Sequence, residues 1–134
     1  MELQVGVKVL LKNKENKYLF LERSTVYGSI AGMWDIPGGR INVETPLLEN
    51  LHREVEEETS LRVLENPIFL AAQDIFTKDG KRHVVRLTYA AQTSGDVRLD
   101  TEHTNYRWLT ISAALKLETL DPYTRDVLQT VKIL

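Results

Sequence analysis

The chain has 134 residues, 43% hydrophobic and 27% charged, with four prolines and seven glycines, a composition that fits one globular domain with a real core and excludes disordered or fibrous classes. Its formal net charge of −2 gives no basic footprint for a nucleic acid polymer or an anionic membrane surface. Cysteine is absent, so disulfides and thiolate metal sites are excluded, and with no basic leader ahead of an apolar run and no apolar stretch near about 18 residues a cytosolic protein is expected.

"QVGVKVLL" and "KYLFLER" are β-rich runs around the polar, asparagine-containing "KNKEN", so residues 4–23 read as a hairpin. "STVYGSIAGMWDIPGG" mixes small residues, glycine and proline and reads as a long loop with a short extended piece at 34–36. A loop of that length argues for a functional role. Thr45-Pro46 places a hydroxyl at an N-cap and proline at the first helical position, which predicts a helix over 46–58. "IFLAAQDIF" and "RHVVRLTYAAQ" read as a second hairpin, turning at Asp79-Gly80 with both residues at positive φ. "TNYRWLTI" reads as a strand, "SAALKLETL" as a short helix, and "PYTRDVLQTVKIL" as an amphipathic helix opened by proline. Hairpins interspersed with helices argue for an α/β sandwich, with a mixed or antiparallel sheet and helices on both faces.

On the 46–58 helix, Leu48, Leu51 and Val55 form a narrow apolar stripe at 100° per residue. Glu54, Glu57 and Glu58 fill a neighbouring arc with spacings that let their carboxylates converge, while Glu56 points to solvent. Such like charges cost an isolated helix about 0.2–0.5 kcal/mol per pair and oppose the dipole at a C-terminal end. A hard divalent cation reverses that cost, because it takes oxygen ligands and commonly sits between carboxylates and substrate phosphates. The plainer alternative is a solvated acidic face. Against it stand Arg53, one turn from Glu49 and Glu57, and Pro37-Gly38-Gly39, which presents bare backbone amides and carbonyls beside the helix start.

This region resembles the signature of the Nudix hydrolases, G-x5-E-x7-R-E-U-x-E-E-x-G-U, where U is a bulky aliphatic residue. Gly39, Arg53, Glu54, Val55, Glu57, Glu58 and Leu61 match in one register, seven of the nine fixed positions. "GMWDIPGG" before it and "YRWLTI" after it also look like the family, so the resemblance covers most of the chain. It implies a Nudix-type α/β/α sandwich with a mixed, largely antiparallel sheet between helices. It also implies Mg²⁺- or Mn²⁺-dependent hydrolysis of a diphosphate linkage in a nucleoside triphosphate or other nucleoside diphosphate derivative. By motif position, Glu54, Glu57 and Glu58 would hold the metal with the backbone carbonyl of Gly38. Glu54 is also the candidate base, and Arg53 joins the catalytic set. Glu102 stands where some members place a further acidic ligand or base, its alternative being an exposed loop acid. Arg23 resembles an arginine that reaches substrate phosphate or base, its alternative being a surface residue.

Two positions depart from the signature: Thr45 replaces the first glutamate and Ser60 the closing glycine. Glu44, one place early, is expected to support the loop with Gly39 and to pair with Arg53 from a shifted position. Serine at a left-handed C-terminal position implies strain or a different cap. Trp34 is read as core rather than as a base platform, and His103 as solvent-facing. Tyr123 and Thr124 are placed near a base pocket by position alone. The expected partner is a small nucleotide, and the resemblance makes a homodimer possible. Thr45 and Ser60 support an alternative, a catalytically weakened Nudix-fold nucleotide-binding or regulatory module; a plain interaction domain with an acidic face comes last.

Overall fold

The computed structural model describes residues 1–130. The first hairpin forms as expected from β1 (Glu2–Lys12) and β2 (Tyr18–Arg23). Its turn is held by Asn13, whose side-chain oxygen accepts the N–H groups of Glu15 and Lys17 at 3.0 Å. The stretch expected as loop is more ordered than its small residues imply. It contains a 3₁₀ helix at Thr25–Ile30, then β3 (Trp34–Asp35) and β4 (Gly38–Arg40). Strand β4 exists because Gly38, Gly39 and Arg40 pair antiparallel with Lys8, Val7 and Gly6 of β1.

Helix α1 (Leu47–Thr59) begins one residue later than expected. Pro46 is itself the N-cap at φ −56° and ψ 143°, with no side-chain cap, so Thr45 does not cap the helix. The Thr45 N–H instead closes a turn onto the Asn42 carbonyl at 3.1 Å. The second hairpin, β5 (Ile68–Phe76) and β6 (Arg82–Gln92), also forms, but residues 77–81 connect it rather than a two-residue turn. Thr77 N–H donates to the Arg82 carbonyl, and Gly80, not Asp79, takes positive φ. After β7 (His103–Leu109) come α2 (Ile111–Ala114) and α3 (Pro122–Thr130). The expected continuation of this last helix over 131–134 lies outside the described residues.

The strands make one seven-stranded sheet ordered β3-β2-β1-β6-β5, with β4 paired to β1 and β7 to β2. β1 and β6 run parallel from Glu2↔Arg82 to Lys12↔Gln92, and the other named pairs are antiparallel, so the sheet is mixed and largely antiparallel as expected. Strand alternation divides its apolar residues between two cores. Val7, Val9, Leu11, Leu19 and Leu21 pack under Leu51 and Val55 of α1; Leu10, Tyr18 and Phe20 pack on the other face against Ala114 of α2 and Leu128 of α3. Leu51 and Val55 are fully buried, each stabilising the docked helix by about 1.5–3 kcal/mol. Leu48, expected in that stripe, is 37% exposed, and Leu47, four residues before Leu51, packs there instead.

Candidate active site

Two glycines bring the turn before α1 against both the sheet and the helix. Gly38 has φ 136°, and a Cβ there would overlap the Val7 carbonyl oxygen. Gly39 leaves room for a carboxylate: a Cβ would lie 3.0 Å from Glu54 Oε2. The Gly38 N–H donates to Glu58 Oε1 at 3.1 Å. The turn thus meets two of the three motif carboxylates.

Glu58 is buried. Burial pushes its carboxyl up to about 8; Lys8 and the Gly38 amide pull it down, and the neighbouring Glu54 pushes it further up. Glu57 is exposed, as is Glu56, and its two oxygens accept from Arg53 Nη1 at 3.1 and 3.0 Å. Among the described residues, no three acidic or histidine side chains lie close enough to hold a metal ion as they stand. In this arrangement Arg53 draws Glu57 aside.

Arg53 does not pair with Glu44. Its other nitrogen donates to Asn50 Oδ1 and Glu54 Oε1, at 3.0 and 3.1 Å. Asn50, fully buried, also accepts the Asn42 N–H at 3.0 Å and donates to the Arg40 carbonyl at 3.2 Å. The loop support expected of Glu44 is therefore made by Asn50, while Glu44 is an exposed turn residue at φ 68°. Asn50 lies in the first turn of α1, where its side chain reaches both the loop backbone and Arg53, while Glu44 stands in the turn before the helix.

Arg23 is not a surface arm. It is 9% exposed, and its guanidinium donates to Asp35 Oδ2 at 2.5 Å and Asp121 Oδ2 at 3.3 Å. Arg86 joins the same two carboxylates, at 3.0 Å to Asp35 Oδ1 and 3.4 Å to Asp121 Oδ1. Thr124 bonds to both Asp35 and Arg86. Being fully buried in this network, it lines no open pocket, whereas Tyr123 borders a shallow cleft with Gln73, Asp74, Pro122 and Asp126. Burial works to raise the Asp35 carboxyl, but the positive charges of Arg86, Lys8 and Arg23 outweigh it and hold Asp35 well below the usual carboxylate range. Lys8 Nζ completes the cluster at 3.4 Å from Asp35 Oδ2.

Glu102 is exposed and accepts from the Tyr27 hydroxyl at 3.3 Å. His103 is half-buried rather than solvent-facing, because Nδ1 lies 2.8 Å from Asp100 Oδ1 and its ring is 5.8 Å from that of Tyr27. Trp34 lies in the core, as expected.

The description "NUDIX domain" fits residues 2–131 of the chain. The chain belongs to the Nudix family. Its fold is similar to that of a MutT protein from Methanosarcina mazei, at a TM-score of 0.85 and 30% identity over 96% of this chain and 91% of that one. It is also similar to a MutT NUDIX hydrolase from Burkholderia pseudomallei, at 0.83 and 25% over 98% and 100%. In sequence it is 38% identical over 63 residues to an m7GpppN-mRNA hydrolase of Xenopus laevis, covering 47% of this chain but only 21% of that protein. It is 27% identical over 109 residues to the nucleoside triphosphatase NudI of Escherichia coli, covering 75% of this chain and 77% of that one.

Against the Nudix signature, the departure at Ser60 is accommodated locally. Ser60 takes the left-handed conformation at φ 63° and ψ 11°, and its N–H donates to the Glu56 carbonyl. The serine thus adopts the strained geometry that glycine would take freely. Sequence reasoning missed Lys8, Asp35, Asn50, Arg86 and Asp121. A signal existed for three of them: Lys8 and Arg86 interrupt apolar strand runs, and Asp121 precedes Pro122 at a helix start, where its Oδ1 accepts the Tyr123 and Thr124 N–H groups at 2.9 and 3.1 Å.

Proposed function

We propose that this Nudix protein hydrolyses a diphosphate linkage in a nucleoside triphosphate or related small nucleotide with the help of Mg²⁺ or Mn²⁺. The family generally uses a divalent metal. One observation carries the reading: the Glu54 and Glu58 carboxylates converge on the Gly38-Gly39 turn. The donor set is all oxygen, which suits a hard cation. The residues fit the ion, although Glu57 must leave Arg53 to join it.

In this proposal Glu54, Glu57, Glu58 and the Gly38 carbonyl hold the metal, which when bound polarises the phosphoryl oxygens and lowers the pKa of coordinated water. Glu54 sits over the Gly39 backbone, placed to take a proton from an attacking water. Arg53 bridges Asn50, Glu54 and Glu57, so it orients two of the carboxylates. Glu102, which accepts a hydrogen bond from the Tyr27 hydroxyl, would serve as the further acidic ligand or base. Arg23 is assigned to the buried network rather than to substrate, because a substrate contact requires breaking its pairs with Asp35 and Asp121. The relatives named as nucleoside triphosphatase and MutT hydrolase support a small nucleotide as substrate and, with it, a cytoplasmic location. Among the described residues no helix is long and apolar enough to cross a membrane.

The test is turnover of a panel of nucleoside triphosphates, sugar nucleotides and dinucleotides with and without Mg²⁺, beside Glu57→Gln. Metal-dependent release of a nucleoside monophosphate, reduced at least about 100-fold in the variant, supports the reading. Nucleotide binding without turnover across the panel opposes it.

A further inference from the structure

The corner proposed to receive a divalent ion already holds a cation of its own. Lys8 extends from β1 with its side chain 17% exposed. Its Nζ lies 3.2 Å from the Ile36 carbonyl, 3.3 Å from the Gly38 carbonyl and 3.4 Å from Asp35 Oδ2. An ammonium is a compact charge with three donors, and here it has three acceptors. Two of them are backbone carbonyls of the turn that carries the site, and one is the carbonyl assigned above to the metal.

Lys8 is not fully neutralised by its carboxylate. Asp35 also faces Arg23 and Arg86, and Asp121 faces the same two arginines. The cluster therefore sets three cations (Lys8, Arg23, Arg86) against two carboxylates, a surplus of one positive charge. The arginines take both oxygens of each aspartate, which leaves Lys8 the cation whose charge extends toward the turn and Glu58.

We propose that Lys8 is a resident counter-cation of the Gly38–Glu58 corner, which holds the turn in shape before the divalent ion arrives and competes with that ion for the Gly38 carbonyl. The proposal rests on the metal-dependent reading above. Lys8 acts through the turn and the metal site rather than on substrate, so it is a positioning residue. On metal binding it gives up Gly38 and keeps the Ile36 carbonyl and Asp35. Removing its charge then has two opposite effects. The metal-free protein loses a partner for two carbonyls and a buried aspartate, whereas a divalent ion held by the Gly38 carbonyl would lose a like-charged competitor for it. A lysine of purely structural value gives a different pattern, because a loosened turn binds the ion more weakly.

The experiment measures Mn²⁺ affinity of the full chain by calorimetry and the shift in Tm on adding Mg²⁺, for wild type, Lys8→Gln, Lys8→Met and Lys8→Arg. Glutamine retains donors for the carbonyls without the charge, which protects the test if the methionine variant fails to fold. Lys8→Gln is expected to melt lower than wild type without metal, to bind Mn²⁺ about tenfold more tightly, and to gain more Tm from Mg²⁺. Lys8→Arg is expected to bind no more tightly than wild type. Equal or weaker Mn²⁺ binding by folded Lys8→Gln overturns the role of Lys8 while leaving the hydrolase reading intact. A wild type that binds no divalent ion overturns that reading and this proposal with it.

Discussion

Replacing Asp35 by asparagine removes one charge from the buried network and almost no volume. Asp35 is 3% exposed and lies against Arg23, Arg86 and Lys8 at 2.5, 3.0 and 3.4 Å. With Asp121 it sets two carboxylates against those three cations. The variant leaves one carboxylate against three, and two of the cations are nine-tenths buried. Breaking a buried pair by removing one partner costs about 3–5 kcal/mol, a large share of the roughly 5–15 kcal/mol by which domains are stable. Urea unfolding followed by circular dichroism is expected to show that loss as a lower midpoint at unchanged slope. The acid limb should change as well. Asp35 is held below its ordinary value, so its contribution is present above the unfolded pKa near about 3.9 and is lost as pH falls through the lower folded value. Asp35→Asn should therefore flatten the fall in stability below about pH 4. A loss under about 1 kcal/mol would refute the reasoning, since that is the scale of a solvated surface pair.

Ser60→Gly should stabilise the protein by about 0.5–1 kcal/mol, measured as a raised urea midpoint, because it relieves the left-handed serine at φ 63°. Gly39→Ala puts a Cβ 3.0 Å from Glu54 Oε2 and should displace that carboxylate; thermal unfolding should change little while metal-dependent turnover falls at least about tenfold. Asn50→Ala removes a fully buried side chain with two acceptor contacts and one donor contact. It should cost about 1–3 kcal/mol and reduce turnover, whereas Glu44→Ala should leave turnover near wild type.

The acidic helix was legible because its spacing is local: Arg53, Glu54, Glu57 and Glu58 sit within two turns; that Glu58 is buried at the turn while Glu57 lies exposed on Arg53 was not. The hairpins were legible for the same reason. Strand β4 was not, since two of its three residues are glycines and nothing local distinguishes them from a turn; only their pairing with β1 makes them a strand. The ion network joins residues up to 98 positions apart, so its members read one by one as ordinary charges. Arg23 was therefore read as an arginine reaching substrate phosphate or base, with a surface residue as the alternative, and not as a member of this network. The pairing expected between Glu44 and Arg53 is not seen: Glu44 lies in the exposed turn before α1 at φ 68°, and Arg53 bonds instead to Asn50, three residues before it on the same helix.

Hydrolysis in ¹⁸O-labelled water, with products weighed by mass spectrometry, tests the central claim most directly. With Mg²⁺ or Mn²⁺ present, at least one small nucleotide should yield a nucleoside monophosphate and a phosphate or pyrophosphate fragment, with a single ¹⁸O on one of the two products. Without metal, and in Glu54→Gln, the label should stay in the water. Label incorporation that ignores the metal and persists in Glu54→Gln, or no release from any nucleotide by a folded protein, would contradict a metal-dependent diphosphate hydrolase.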